Sequence, residues 1–203
     1  MQGQPRLFRT MTNNIERHPL SPFLPQQAQL LMLGSFPPKQ ERWSMDFFYP
    51  NWINDMWRIM GIIFYDDAHH FEIKGEKRFD RTSITDFCNE RGIALYDTAL
   101  EVRRLRDNAS DKYLEIVTPT DISLLLQSIP LCHTIVTTGE KATDTICNTL
   151  QLPRPQVGGY SRGSYINRNI TLYRMPSSSR AYPMSLHNKA AIYRTMFRDI
   201  GMI

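Results

Sequence analysis

Residues 29–35 read QLLMLGS. This short apolar run ends at a glycine and a serine, a pattern typical of a buried β-strand that leads into a turn. Segments of the same kind occur at residues 93–98 (IALYDT), 133–138 (HTIVTT) and 170–175 (ITLYRM). Because helical patterns separate these strands, the chain favours a parallel sheet with helices on both faces. The sequence therefore predicts an α/β fold, a three-layer α/β/α sandwich around a central four-stranded parallel sheet.

The stretches between the strands supply the helices and loops. Apolar residues at helical spacing predict helices over residues 54–63, 83–91, 121–129, 141–150 and 186–200. Loops are predicted over residues 37–50, 65–78 and 153–165. No linker divides the chain, so we expect a single domain over residues 1–203, with residues 1–25 as a polar, peripheral N-terminal segment.

The composition excludes several classes of protein. The chain has 203 residues, 41% of them apolar, and its apolar runs are far shorter than the roughly 18 residues that a membrane span needs. No membrane segment or secretory signal is predicted, and the expected location is cytoplasmic. Cys88, Cys132 and Cys147 are too few and too scattered for a four-cysteine metal or iron–sulfur site, and are expected to be core thiols. His69 and His70 lack a third ligand, so neither a metal nor a cofactor is predicted.

Charge is divided unevenly along the chain. Residues 1–150 carry 16 basic and 19 acidic side chains, whereas residues 151–203 carry 8 basic side chains and one acidic side chain. The basic residues of this second part are Arg154, Arg162, Arg168, Arg174, Arg180, Lys189, Arg194 and Arg198. An acid-poor segment with a net charge of +7 indicates a polyanionic partner.

The carboxyl ends of the strands are where a parallel α/β sheet binds its ligand. The segments that follow the four predicted strands are residues 34–38 (GSFPP), 97–98 (DT), 138–141 (TGEK) and 176–183 (PSSSRAYP). Gly34 permits a close approach of the backbone to a ligand and the two prolines stiffen the turn, although a plain strand-to-loop turn has the same composition. Since residues 138–141 lack the Walker A pattern, hydrolysis of nucleoside triphosphates is not predicted.

An aromatic segment, residues 46–57 (DFFYPNWINDMW), follows the first strand. Phe48 and Tyr49 are suited to stack on a nucleobase, which contributes roughly 1–3 kcal/mol per base. The amide of Asn54 is able to hydrogen-bond a base edge or a water. Two interpretations of Asn54 stay open, since an asparagine here is equally typical of a helix cap. Trp57 is expected in the core.

Residues 177–180 (SSSR) combine three hydroxyls with a guanidinium just before the last predicted helix. Phosphate oxygens accept hydrogen bonds from both groups, so this loop is a candidate phosphate-binding element, with a plain polar loop as the alternative. A serine nucleophile is not predicted, because no G-x-S-x-G elbow surrounds these serines and only His187 lies nearby.

Three motifs in this order resemble those of the uracil-DNA glycosylase superfamily. Residues 34–38 resemble its first active-site loop, residues 49–57 (YPNWINDMW) its Y-P…N-x-F-W segment, and residues 175–180 (MPSSSR) the second loop of its mismatch-specific thymine/uracil branch. The first loop together with Asn54 is most similar to the hypoxanthine-DNA glycosylase branch. One departure stands out, because Phe36 occupies the place where the uracil-cutting branches carry an Asp or Asn that positions the attacking water.

The resemblance implies a monofunctional DNA N-glycosylase of base-excision repair. Such an enzyme flips a deaminated base (hypoxanthine, uracil or mispaired thymine) and hydrolyses its N-glycosidic bond. The implied partner is DNA that contains a damaged or mismatched base, and the implied protein is a monomer that needs no cofactor. Two other functions stay open, namely a catalytically silent nucleic-acid-binding member of the same fold and a small-molecule hydrolase.

The implied site residues form three groups. The catalytic group is Asn54 first, orienting a water through its amide oxygen, assisted by Asp46 or Asp97. The base-binding group is Gly34, Ser35, Phe36, Pro37, Phe48 and Tyr49. The DNA-binding group is Ser177, Ser178, Ser179, Arg180, Tyr182 and Lys189, with Arg180 and Tyr182 as candidates for the wedge that replaces the flipped base. Neutralising about five phosphates would make log affinity fall with log salt at a slope of roughly −4 to −5.

Overall fold

The computed structural model describes residues 14–105 and 113–203 of the chain. The strands are β1 (Ile15–Arg17), β2 (Leu30–Gly34), β3 (Ile93–Asp97), β4 (Ala99–Arg104), β5 (Leu114–Pro119), β6 (Thr134–Thr138), β7 (Tyr160–Tyr165) and β8 (Arg168–Met175). The helices are α1 (Met56–Tyr65), α2 (Arg81–Arg91), α3 (Ile122–Ser128), α4 (Glu140–Leu150) and α5 (Leu186–Asp199). Within those two ranges, no helix is both long enough and apolar enough to cross a membrane.

The central sheet has the strand order β3-β2-β6-β8-β7. Its first four strands run parallel, which confirms the predicted four-stranded parallel sheet. Every residue of β2 and of β3 is buried, as expected for central strands that are covered on both faces. The chain leaves β2 toward β3 on one side and leaves β6 toward β8 on the other, so β2 and β6 flank the topological switch point at which such sheets bind ligands.

Local sequence explains the ends of the helices. Asp80 precedes α2, and its side chain accepts hydrogen bonds from the N–H groups of Thr82 and Ser83. The same helix ends at Gly92, whose φ of 64° lies in the left-handed region that glycine tolerates best. Ser185 caps α5 by accepting from the N–H of Asn188.

Strand β7 corrects the prediction of a loop over residues 153–165. It pairs antiparallel with β8 through a two-residue turn, Ile166 and Asn167, with φ values of 48° and 57°. Such a turn matches the twist of a hairpin. The apolar pattern does not predict this strand, because its sequence, YSRGSY, contains few apolar residues. Its side chains alternate between exposed and half-buried.

A second, three-stranded sheet with the order β1-β4-β5 was not predicted. Strand β4 follows β3 after one residue, and β1 belongs to the segment expected to be peripheral. Residues 14–25 are nevertheless attached to the core, because β1 pairs with β4 and Phe23 forms a backbone bridge to Leu95. Residues 1–13 lie outside the described residues.

The cysteines are buried and free, as the sequence predicts. Burial raises the pKa of the Cys132 thiol to about 11 and also raises the pKa values of Cys88 and Cys147. Since the thiolate is the reactive form, these cysteines are packing residues and not nucleophiles.

Candidate active site

A cavity of about 1360 Å³ opens at the carboxyl ends of the central strands, beside the switch point between β2 and β6. It brings together the segments that follow β2, β3, β6 and β8, together with the aromatic segment before α1. Strand β5 of the small sheet forms a further wall that the sequence did not predict. A cavity therefore lies at the carboxyl ends of the strands, where the sequence predicts the ligand site, and one of its walls was not predicted.

Asp97, the last residue of β3, supplies a carboxylate to the cavity wall. The residue is 7% exposed. Its Oδ2 lies 2.8 Å from Nε2 of His18, which is fully buried at the side chain. Because a carboxylate oxygen accepts hydrogen bonds, the N–H at Nε2 of His18 is the donor.

Gly34 is needed to accommodate this carboxylate. A Cβ atom at Gly34 would collide with Oδ1 of Asp97, so no other residue fits here without displacing the carboxyl group. The sequence predicts that Gly34 lets a ligand approach the backbone. In the structure, the lack of a side chain at Gly34 makes room for the Asp97 carboxylate of the neighbouring strand.

Two aromatic residues border the cavity beside Asp97. Phe48 is 4% exposed, and its carbonyl oxygen accepts a hydrogen bond from Trp57 Nε1 at 3.1 Å. Tyr49 adopts a left-handed φ of 51°, and its hydroxyl lies 3.0 Å from Oγ1 of Thr138 at the end of β6. A non-glycine residue at positive φ is held there by its surroundings, so the backbone of Tyr49 is fixed at the wall.

Phe36 lies in a different environment from Phe48. It borders the cavity, but its ring packs under the small sheet against Ala99, Val102 and Leu114. Its ring therefore attaches the small sheet to the first loop, and at 8% exposure it is as accessible from the cavity as Phe48.

Asn54 has the position of a helix cap and also borders the cavity, so neither interpretation of the sequence excludes the other. Its Oδ1 accepts a hydrogen bond at 2.9 Å from the N–H of Met56, the first residue of α1, as a capping residue would. It also lines the cavity and forms a backbone bridge to Ser179. The guanidinium of Arg58 donates to its carbonyl oxygen at 3.0 Å, so the backbone here is held from two sides.

Two predicted site residues are corrected by the structure. Asp46 is exposed and is not among the residues that line the cavity. Lys189 is fully buried, and its Nζ donates to Asp55 Oδ2 at 3.0 Å and to the carbonyl oxygen of Ser179 at 2.8 Å. A lysine held in this way is not able to bind a phosphate, and it instead ties the serine loop to the start of α1.

The serine loop, residues 177–180, lies along the cavity as predicted. Ser177 Oγ accepts from the N–H of Ser179 at 3.2 Å, whereas Ser178 is 3% exposed and its carbonyl oxygen accepts from the N–H of Asp55. The guanidinium of Arg180 is 3.0 Å from Asp55 Oδ1 and half exposed. Tyr182 follows at the rim. Arg180 therefore reaches both the cavity and a buried carboxylate.

Most basic residues of the acid-poor segment bind protein groups. Arg154 pairs with Glu140 and Asp144 on α4. Arg168 donates to three carbonyl oxygens at the end of α3, those of Leu126, Ile129 and Cys132. Arg174 and Arg194 likewise donate to backbone carbonyl oxygens. Of the eight basic residues in this segment, only Arg180 lines the cavity, so the net charge of +7 overstates the charge offered to a ligand.

His18 is the main residue that the sequence analysis missed. It stands in a polar segment and has no neighbouring motif, so no signal in the sequence connects it with Asp97, 79 residues away. In the described ranges, no group of three or more His, Cys, Asp or Glu side chains is arranged to hold a metal ion.

Comparison with known proteins supports the architecture. The chain matches no protein-family model, and no curated protein is significantly similar to it. Its fold is similar to the solution NMR structure of "a putative uracil DNA glycosylase" from Methanosarcina acetivorans, with a TM-score of 0.59 and 18% sequence identity over 92% of this chain and 99% of that chain. At this identity the likeness shows the fold alone, and it confirms the expected uracil-DNA glycosylase-like α/β architecture.

Proposed function

We propose that this protein is a DNA glycosylase that flips a deaminated base out of DNA and hydrolyses its N-glycosidic bond. The observation that carries the proposal is the carboxylate of Asp97, fixed at the wall of a cavity beside two aromatic rings. A carboxylate stabilises a sugar with oxocarbenium character, and an aromatic surface beside it suits a flat, flipped base. The fold of the Methanosarcina acetivorans protein supports the same class of function for this chain.

Cleavage of the bond passes through a sugar with oxocarbenium character, so the site has to stabilise positive charge and deliver a water. The water oxygen attacks C1′ as the C1′–N bond breaks, and the base leaves with the electron pair of that bond. Asp97 stabilises the cationic sugar, accepts the proton of the water and passes it to solvent. Asn54 orients the water through the second lone pair of Oδ1, the first of which accepts from the N–H of Met56.

The base itself is expected to stack on Phe48 and to lie against Tyr49. The loop of Gly34, Ser35 and Pro37 borders it on the opposite side. The loop is held in place because the carbonyl oxygen of Pro37 accepts from the guanidinium of Arg104 at 2.7 Å. A rigid loop excludes water and fixes the depth to which the base enters.

The DNA backbone is expected to bind along the rim. Ser177 and Ser179 offer hydroxyls to phosphate oxygens, Ser178 shapes the loop through its backbone, and Arg180 and Tyr182 stand where a wedge would replace the flipped base.

The salt dependence of DNA binding follows from the basic groups on the rim. Four basic residues of the described ranges line the cavity, but Arg104 is nearly buried and pairs with Glu16 at 2.9 Å. Arg42, Lys141 and Arg180 are left for phosphates, since Lys189 is fully buried. Neutralising about three phosphates predicts a slope of about −3 for log affinity against log salt, shallower than the −4 to −5 that the sequence predicts. Fluorescence anisotropy of an abasic duplex over a salt series measures this slope, and a slope near zero would contradict the phosphate contacts.

A substrate panel tests the function. Duplex and single-stranded oligonucleotides that carry uracil, hypoxanthine, xanthine or mispaired thymine are incubated with the wild type and with Asn54→Ala, and alkaline cleavage reports abasic sites. We expect abasic sites with at least one deaminated base and a reduction of about 100-fold or more in the variant, because the water loses its orientation. Equal rates in both proteins would remove Asn54 from the mechanism.

One observation favours the second candidate function, a nucleic-acid-binding protein without activity. Phe36 replaces the residue that orients water in the uracil-cutting enzymes, and Oδ1 of Asn54 already binds the N–H of Met56. DNA binding without abasic sites on any substrate of the panel would select this function.

A further inference from the structure

The buried imidazole of His18 is not explained by packing alone. We propose that His18 is a positioning residue, which fixes the Asp97 carboxylate so that Oδ1 faces the reacting water and sugar. The proposal deepens the proposed glycosylase function and rests on it. It also gives residues 14–23, which the sequence presents as peripheral, a part in the active site.

The imidazole is held on both of its edges. Nε2 donates to Asp97 Oδ2 at 2.8 Å. Nδ1 forms one hydrogen bond with the backbone of Leu20, whose carbonyl oxygen lies at 2.9 Å and whose amide nitrogen lies at 3.2 Å. The faces of the ring meet aromatic side chains, with centroids of Tyr96 at 4.6 Å and Phe36 at 5.3 Å. The ring is therefore confined to one orientation.

The backbone of residues 14–23 is placed just as firmly. The N–H of His18 donates to the carbonyl oxygen of Leu100 at 2.8 Å, directly after β1 pairs with β4. Phe23 exchanges two backbone hydrogen bonds with Leu95, of 3.0 and 2.9 Å. The segment thus pairs antiparallel with the outer edge of β3 at Leu95 and places His18 beside Asp97.

A purely structural role does not account for this pair. Burying an imidazole and a carboxylate costs desolvation, and well-packed apolar side chains would fill the same space at least as stably. The pair is instead arranged so that one carboxylate oxygen is bound by His18 and the other stands beside Gly34 in the cavity wall. An aspartate without the histidine would be free to rotate about χ1 and χ2, and misplacement of a reacting group by about 1 Å costs about 100-fold in rate.

Substitutions of His18 separate positioning from folding. His18→Gln keeps an N–H donor at about the distance of Nε2, whereas His18→Leu removes the donor and keeps the bulk. We expect His18→Leu to lower the single-turnover rate of base release by about 10- to 100-fold. The affinity for an abasic duplex should stay within about twofold, because no DNA contact is lost, and His18→Gln should recover most of the rate.

A matched control is available at the other end of the sheet. His133 hydrogen-bonds the carbonyl oxygen of Asn169 at 3.1 Å and is exposed, so His133→Leu should leave the rate unchanged. Thermal unfolding verifies that each variant is folded. If His18→Leu fails to fold, His18→Asn takes its place, since its amide is too short to reach Asp97.

Each outcome decides the proposal. If a folded His18→Leu variant is as fast as the wild type, or if His18→Gln is as slow as His18→Leu, the hydrogen bond does not position Asp97, while the glycosylase function stands. If the wild type releases no base from any substrate of the panel, the glycosylase function itself is wrong and the role of His18 is lost with it.

Discussion

Replacement of Asp97 by asparagine is expected to lower the single-turnover rate of base release by about 100- to 10,000-fold, the usual range for removing a general base. The neutral amide fits the same space beside Gly34, but it neither stabilises the cationic sugar nor accepts a proton from water. Binding of an abasic duplex should be unchanged or slightly tighter, because one negative charge is removed from the DNA site.

The second candidate carboxylate serves as the matched control. Asp46 is exposed and lies outside the cavity lining, so Asp46→Asn should release base at the wild-type rate. Both variants are compared on the best substrate of the panel under single-turnover conditions. A full rate in Asp97→Asn would contradict the assignment, and a slow Asp46→Asn variant would require the DNA to bind on a different face.

Replacement of Lys189 by methionine is expected to lower the free energy of unfolding by about 3–5 kcal/mol. The side chain of Asp55 is 8% exposed, and without Lys189 it keeps only the half-exposed Arg180 as an ionic partner. The carbonyl oxygen of Ser179 also loses the Lys189 donor and keeps only the N–H of Tyr182 at 3.1 Å. Urea unfolding measures the change, and we expect the serine loop to lose its order with the pair.

Two comparisons make this prediction specific. Arg78 pairs with Glu76 at 3.3 Å on the surface, so Arg78→Met should cost less than about 1 kcal/mol. Adding Asp55→Asn to Lys189→Met should restore part of the lost stability, because the second substitution removes the unpaired buried charge. A Lys189→Met protein as stable as the wild type would show that the lysine does not support the loop.

Some of this structure could be predicted because local pattern and tertiary role agree. Strands β2 and β3 are apolar in sequence because both of their faces are covered, and the loops behind them meet at the switch point by the geometry of parallel sheets. Strand β7 and the small sheet could not be found in this way. Their exposed or half-buried positions weaken the apolar pattern on which the prediction depends.

The candidate site residues likewise divide into those that the sequence indicates and those whose environment it does not predict. Phe48, Tyr49 and Asn54 were identifiable because they stand together in the sequence. The sequence assigns Lys189 to the DNA-binding group and gives His18 no role, because the burial of each depends on a partner that is 134 or 79 residues away. A lysine in a basic segment is expected at the surface and a histidine in a polar segment in solvent, yet each is buried against an aspartate.

Direct detection of the released base tests the central claim. Wild-type protein is incubated with DNA that contains hypoxanthine, uracil, xanthine or mispaired thymine, and mass spectrometry follows both the free base and the DNA strand. We predict that one of these bases appears as the free base in step with an unbroken abasic strand, and that Asp97→Asn forms both products at least about 100-fold more slowly. DNA that is bound but stays intact with all four bases would contradict the proposed function.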